Sequence, residues 1–373
     1  MPARSAPARS PRIPSLDAAR ALGVVAMVVG HTLDAVVALS ARDGAVLAAY
    51  WKARGLTAPV FMAAAGWAVT AAVGRGAARG LAIPAGRLPR VALLLAVGYA
   101  LRWPGWGTDL LRAGDPSVWA HLLAFDALHA IAISLLAAAL VLALPWTPRE
   151  KAGAFALLAV VSVALGMRAP APVSPAPAAL PAPPLAMALA QAAGGTSPFP
   201  IFPWAGYFFV GAIVGLLARD AAGRRAAAMG ALGAALVAAT CWTGVGTMPA
   251  GHPVLFAFRA GAVLVLFAAL SALPRALAAR CAPLGRASLG VYVAHVPMVY
   301  GWSTWHGLAQ RVGPALSPLD AAAVAAAVLV ASLTARHVAA ALAAAARAGL
   351  AAVRERLDGA LAGDGAGRGR AAP

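Results

Sequence analysis

The stretch LDAARALGVVAMVVGHTLDAVVAL, Leu16–Leu39, decides how this chain is read. It is long enough for an α-helix to cross a hydrocarbon layer about 30 Å thick, which takes roughly 20 residues. Lipid offers no water to the backbone, so a segment placed there bonds to itself as a helix. Yet the stretch carries Asp17, Arg20, His31 and Asp34, and ionisable groups at membrane depth cost about 2.5–3.5 kcal/mol each unless they face a polar interior. Arg20 and His31 stand eleven positions apart. At about 100° per residue they return to within about 20° of one face, about 16 Å apart along the axis, so one helix lines one polar path. Asp17 can pair with Arg20 and Asp34 can orient His31, each at i,i+3; a plainer reading sets the two aspartates at the interfaces, flanking the span. Arg4, Arg9 and Arg12 before the run resemble the start of a signal peptide. An apolar run that continues to Leu39 with four ionisable residues is too long and too polar for a cleaved segment, and a retained first helix is expected.

The rest of the chain repeats the theme. Hydrophobic residues make up 62% of 373 and charged ones 11%, against roughly 45–50% and 25% for a soluble domain. Apolar runs predict an all-α, polytopic membrane bundle of about ten helices, over 16–39, 56–74, 88–102, 126–146, 152–168, 200–218, 226–243, 254–273, 285–303 and 319–346. On this layout twenty Lys and Arg fall in segments on one side and seven on the other, which places both termini in the cytoplasm. Two domains are expected: a helical domain over 1–346 and an Arg/Ala/Gly-rich cytoplasmic tail over 347–373. Residues 169–185, an Ala/Pro tract, read as an extended external loop. The net charge of +18 sits in short segments between apolar runs rather than on one basic face, so the expected partner is membrane lipid and not nucleic acid. Cys241 and Cys281, at opposite sides of the layout, are not expected to pair.

A resemblance to a known family enters with the first helix. Ser15-Leu16-Asp17-Ala18-Ala19-Arg20-Ala21-Leu22-Gly23, with His31 beyond it, resembles the opening helix of the transmembrane acyltransferases. These comprise the acyltransferase type 3 proteins and the relatives of heparan-α-glucosaminide N-acetyltransferase. Further stretches follow in order: Ala58-Pro59-Val60-Phe61-Met62, Ala65-Gly66-Trp67, Phe125-Asp126-Ala127-Leu128-His129-Ala130-Ile131, Phe199 to Tyr207, and Leu284 to His295. The Pro203-Trp204-Ala205-Gly206-Tyr207 helix start leans toward the heparan-type branch, whereas the Arg20-to-His31 spacing resembles the type 3 branch; Ala65 stands where the type 3 pattern has a serine. The resemblance implies transfer of an acyl group, such as acetyl, from cytoplasmic acyl-CoA to an acceptor, commonly a sugar or glycan, at or across the cell (inner) membrane. Acyl-CoA would be a cosubstrate, and no tightly bound cofactor is implied. His31 would then act as base or transient acyl carrier, and Arg20 would hold CoA phosphate or polarise the thioester carbonyl.

Other residues are weighed beside these. Asp126 and His129, at i,i+3 at the start of the fourth expected helix, form either a second charged pair facing the site or a hydrated interfacial turn. Arg259 either lines the interior or snorkels to the surface. His295, with Tyr292 at i−3, either joins the site or hydrogen-bonds within the bundle, and Trp204 either contacts substrate or suits an interfacial aromatic belt. Arg336 and His337 read as interface anchors. No glycine-rich phosphate loop, paired-cysteine spacing or His-Glu zinc motif occurs, and no metal is expected. Buried Arg, His and Asp would also serve a proton-coupled transporter or exporter, or merely fix helix packing.

Overall fold

The computed structural model describes residues 13–73, 82–105, 109, 111, 114–168, 184–194, 196–218 and 223–339. The Ala/Pro tract up to residue 183, the tail over 347–373 and the N-terminal arginines lie outside them. The described chain is helical: α1 (Pro14–Val36), α2 (Ala45–Arg54), α3 (Thr57–Val73), α4 (Ala82–Leu101), α5 (Pro116–Leu123), α6 (Ala127–Ala143), α7 (Pro148–Arg168), α8 (Pro184–Ala193), α9 (Ile201–Leu217), α10 (Arg224–Thr240), α11 (Pro253–Ala272), α12 (Arg275–Arg286), α13 (Ser288–Tyr300), α14 (Leu308–Arg311) and α15 (Pro318–Ala339).

A helix stands at each expected apolar run, but the runs differ in reach. Among the described residues, five helices are long and apolar enough to cross a membrane, namely Pro14–Val36, Pro148–Arg168, Arg224–Thr243, Pro253–Ala272 and Pro318–Ala339. The pair α5 and α6, bent by 54° at its break, makes a sixth if it is one span. Thr57–Ala72, Ile201–Leu217 and Ser288–Tyr300 are apolar but shorter. At about 1.5 Å per residue these three reach roughly 20–26 Å, less than a full hydrocarbon layer. The expected ninth span, 285–303, divides at Ala287 into α12 and α13, and the arginine segment before it, expected as a loop, is helical. α2, α5 and α8 likewise form in segments expected to be loops.

Local chemistry sets the helix starts. Pro14 and Pro253 occupy first-turn positions, where the missing N–H costs nothing. His252 accepts from the Val254 amide at 3.3 Å, and Asp126 accepts from Leu128 and His129 amides at 2.8 and 3.3 Å, capping α11 and α6.

The helices close on each other through small residues. In lipid, apolar surface gains nothing by leaving its solvent, so close backbone approach carries association. α3 runs against α9, where a Cβ on Gly211 would stand 2.6 Å from Ala63 Cα and one on Gly215 would stand 2.6 Å from the Trp67 carbonyl oxygen. α10 meets α11 at Gly233 and Gly261. α12 lies along α1, with Gly285 against the Asp17 carbonyl. Trp67, Phe208, Phe155, Tyr207 and Phe267 fill the interior between these seams and are almost wholly buried. Cys241 is exposed, Cys281 half-buried, and both are free thiols.

Gly211→Val should therefore push α3 and α9 apart and destabilise the protein by about 1–3 kcal/mol. A lowered Tm in detergent measures it. Gly153→Ala, in open space on α7, should leave Tm unchanged or raise it.

Candidate active site

A cavity of about 1050 Å³ runs between α1, α3, α4, α6, α9, α11, α12 and α13. Its lining includes Ile13 to His31 on α1 and Thr57 to Ala71 on α3. At about 1.5 Å per residue it follows α1 for roughly 27 Å, most of the thickness of a hydrocarbon layer. The walls are largely apolar, with Phe61, Ala65, Leu94, Ile131, Leu135, Phe208 and Leu289 among them. Polar groups concentrate in a few places.

At the end formed by the start of α1, Arg20, Arg87, Arg90 and Arg286 line the cavity together with Asp17. Arg20 Nη1 lies 3.9 Å from Asp17 Oδ1, the i,i+3 pair that the spacing predicts. The excess of guanidinium over carboxylate makes this end a place for anionic groups. Arg87, Arg90 and Arg286 are not among the site candidates read from the sequence, because which segment folds over which cavity mouth is a matter of tertiary packing.

At the far end of α1 stands His31, on the same cavity wall as Arg20. Its Nδ1 lies 2.9 Å from Nε2 of His295, and the two rings are almost coplanar at 18°. His295 is fully buried, and its Nδ1 lies 2.9 Å from the Val291 carbonyl oxygen. Tyr300 meets His31 edge-on at 5.4 Å. Tyr292 lines the cavity beside this pair, with its hydroxyl toward the Asp126 carboxylate.

Two sequence expectations are corrected here, and two open alternatives are decided. Asp34 does not orient His31: its carboxylate pairs with Arg54 of α2, which crosses α1 over Gly30, where a Cβ would meet the Arg54 Nε at 2.7 Å. Arg54 itself lines the cavity and, with Arg42, flanks the Trp51 ring at 5.6 Å on each count. Asp34 satisfies the nearer, permanently charged partner, which an imidazole cannot match. Asp126 and His129 do pair, at 2.9 Å, but they close the start of α6 instead of facing the cavity. His129 is fully buried between Tyr99 and Phe125, with Gly98 against its ring. Of the two readings of Trp204, the structure favours the interior one: it is 9% exposed, lies against Phe199 and Tyr207, and lines the cavity. Arg259 lines the cavity near Tyr207 rather than snorkelling outward. Gly30 was the one local sign of Arg54, and nothing local announced that His295 would reach His31.

The architecture and this cavity define a helical, multi-pass membrane protein in which Arg20, His31, Arg54 and Arg259 share one space. The family model described as heparan-alpha-glucosaminide N-acetyltransferase, catalytic, matches residues 12–250. The chain belongs to this family, and is a membrane acetyltransferase of that type. No curated protein and no solved structure matches the chain.

A hydrated cavity should be chemically visible. With Cys241 and Cys281 replaced by Ser, Ala65→Cys on the cavity wall should react with a water-soluble methanethiosulfonate reagent. Ala64→Cys, whose parent side chain is fully buried, should not, and equal labelling of the two would contradict the geometry.

Proposed function

We propose that the protein transfers an acetyl group from cytoplasmic acetyl-CoA to a sugar or glycan acceptor across the inner cell membrane, with ten passes and both termini in the cytoplasm. The observation that carries this reading is that Arg20 and His31 open onto one cavity extending along most of α1. A volume of about 1050 Å³ is at the upper limit of ordinary small-molecule sites, roughly 300–1,000 Å³, and leaves room for a donor and an acceptor to meet inside. The charge bias of the loops supports the cytoplasmic placement of the arginine-rich end.

The donor's phosphates would rest among Arg20, Arg87, Arg90 and Arg286, with Asp17 holding Arg20 in place, and the thioester would reach along the cavity toward His31. The acceptor would enter from the opposite end, past Arg54 and Trp51. His31 takes the proton of the acceptor hydroxyl or amine while the freed lone pair attacks the carbonyl carbon; the C–S bond breaks and the leaving thiolate takes that proton back. The alternative route forms an acetyl-imidazole on His31 before the acceptor arrives. Asp126 would act through Tyr292, and Trp204 and Arg259 would contact substrate from the α9 and α11 walls.

Purified protein in nanodiscs with labelled acetyl-CoA and an amino sugar should yield acetylated product. Removing a general base costs roughly 10²–10⁴ in rate, so His31→Ala should lower kcat by at least about 100-fold. Arg20→Gln should weaken use of the donor more than of the acceptor. Full activity in His31→Ala, or acceptor movement through vesicles without thioester consumption, would overturn the proposal.

A further inference from the structure

The hydrogen bonds beyond His31 fix which of its nitrogens can react. A carbonyl oxygen only accepts, so the 2.9 Å contact between His295 Nδ1 and Val291 O means that this nitrogen carries the proton. The Nε2 of a neutral His295 then presents a lone pair. It faces His31 Nδ1 at 2.9 Å, and that nitrogen must donate. Near-coplanar rings place the lone pair and the N–H in line, edge to edge. With its proton on Nδ1, His31 keeps its own lone pair on Nε2. Among the described residues no hydrogen-bond partner is recorded for that atom, and the side chain lines the cavity.

We propose that His295 is the positioning residue that holds His31 in its Nδ1–H tautomer, so that Nε2 is the atom that takes the acceptor's proton. This rests on the acetyltransferase reading for its consequence in catalysis, but not for the tautomer itself. The family match ends at residue 250, before His295. When Nε2 is protonated, His31 becomes an imidazolium whose Nδ1–H still points at the His295 lone pair. The charge is stabilised without leaving the pair, in the manner of a buried carboxylate behind a catalytic histidine. A neutral acceptor suits this place: Arg54 on α2 already faces His31, with Asp34 on α1 committed to it, and Tyr300 and Tyr292 on α13 complete the surroundings. The order of side chains also makes the acetyl-imidazole route, if taken, a reaction at Nε2.

The test compares three variants. His295→Phe keeps the ring and removes the acceptor; His295→Gln places a carbonyl oxygen near the former Nε2; His295→Asn is too short to reach His31. Imidazole ¹³C and ¹⁵N shifts of histidine-labelled protein in nanodiscs, with His31 assigned by its loss in His31→Ala, report the tautomer without any turnover. Wild type and His295→Gln should show His31 protonated at Nδ1, and His295→Phe should shift the proton to Nε2. In parallel, kcat should fall about 100-fold in His295→Phe with KM for acetyl-CoA little changed, and recover at least tenfold in His295→Gln. Should His295→Phe fail to fold, the contrast of Gln with Asn carries the same prediction. An Nε2–H tautomer in the wild type, or equal kcat in the Gln and Asn variants, would overturn the proposal. Absence of acetyl transfer by the wild type would instead defeat the functional reading and leave the tautomer measurement to decide this one.

Discussion

A polar side chain carried into lipid has to find another polar group or water, because hydrocarbon supplies neither, and this constraint organises the molecule. α1 carries four ionisable residues through the bundle. Each has a different answer: Asp17 and Arg20 meet each other, Asp34 meets Arg54, and His31 meets His295. None of these solutions is available to α1 alone beyond the first. The bundle must therefore assemble around it, with α12 along one side, α3 along another and α2 folded over its end.

Assembly in turn cannot rely on hydrophobic burial, since lipid tails are as apolar as leucine. Glycine and alanine at the α3–α9, α10–α11 and α1–α12 contacts bring backbones together where larger residues would hold them apart. Where the helices separate again, along α1 and the facing wall of α3, the cavity appears, with Arg20, His31, Arg54 and Arg259 on its walls. Stability and site thus come from one arrangement: tight seams on some faces leave an open space on another.

The chemistry that follows is a division of labour along one helix. The Arg20 end has four guanidinium groups and one carboxylate on the cavity wall, suited to an anionic donor. The His31 end has an imidazole backed by a second imidazole and rimmed by aromatic rings, suited to moving a single proton. About 16 Å of helix separates them, so a donor anchored at one end must be extended to present its reactive carbon at the other.

By itself the sequence determined that the chain is helical and apolar enough for membrane, that Arg20 and His31 share a face of the first helix, and that Asp17 stands within reach of Arg20. These follow from composition, from the 3.6-residue period and from i,i+3 neighbourhood, all of which are local. Only the tertiary structure decided that Asp34 belongs to Arg54, that Asp126 and His129 cap α6 away from the cavity, that Trp204 faces inward, and that His295 stands behind His31. The last pair is 264 positions apart. A helix's own period says which residues share its face, but which partner that face will meet depends on how neighbouring helices are rotated and stacked. In apolar sequences rich in alanine, that rotation is set by small-residue seams that leave little trace in hydrophobic pattern.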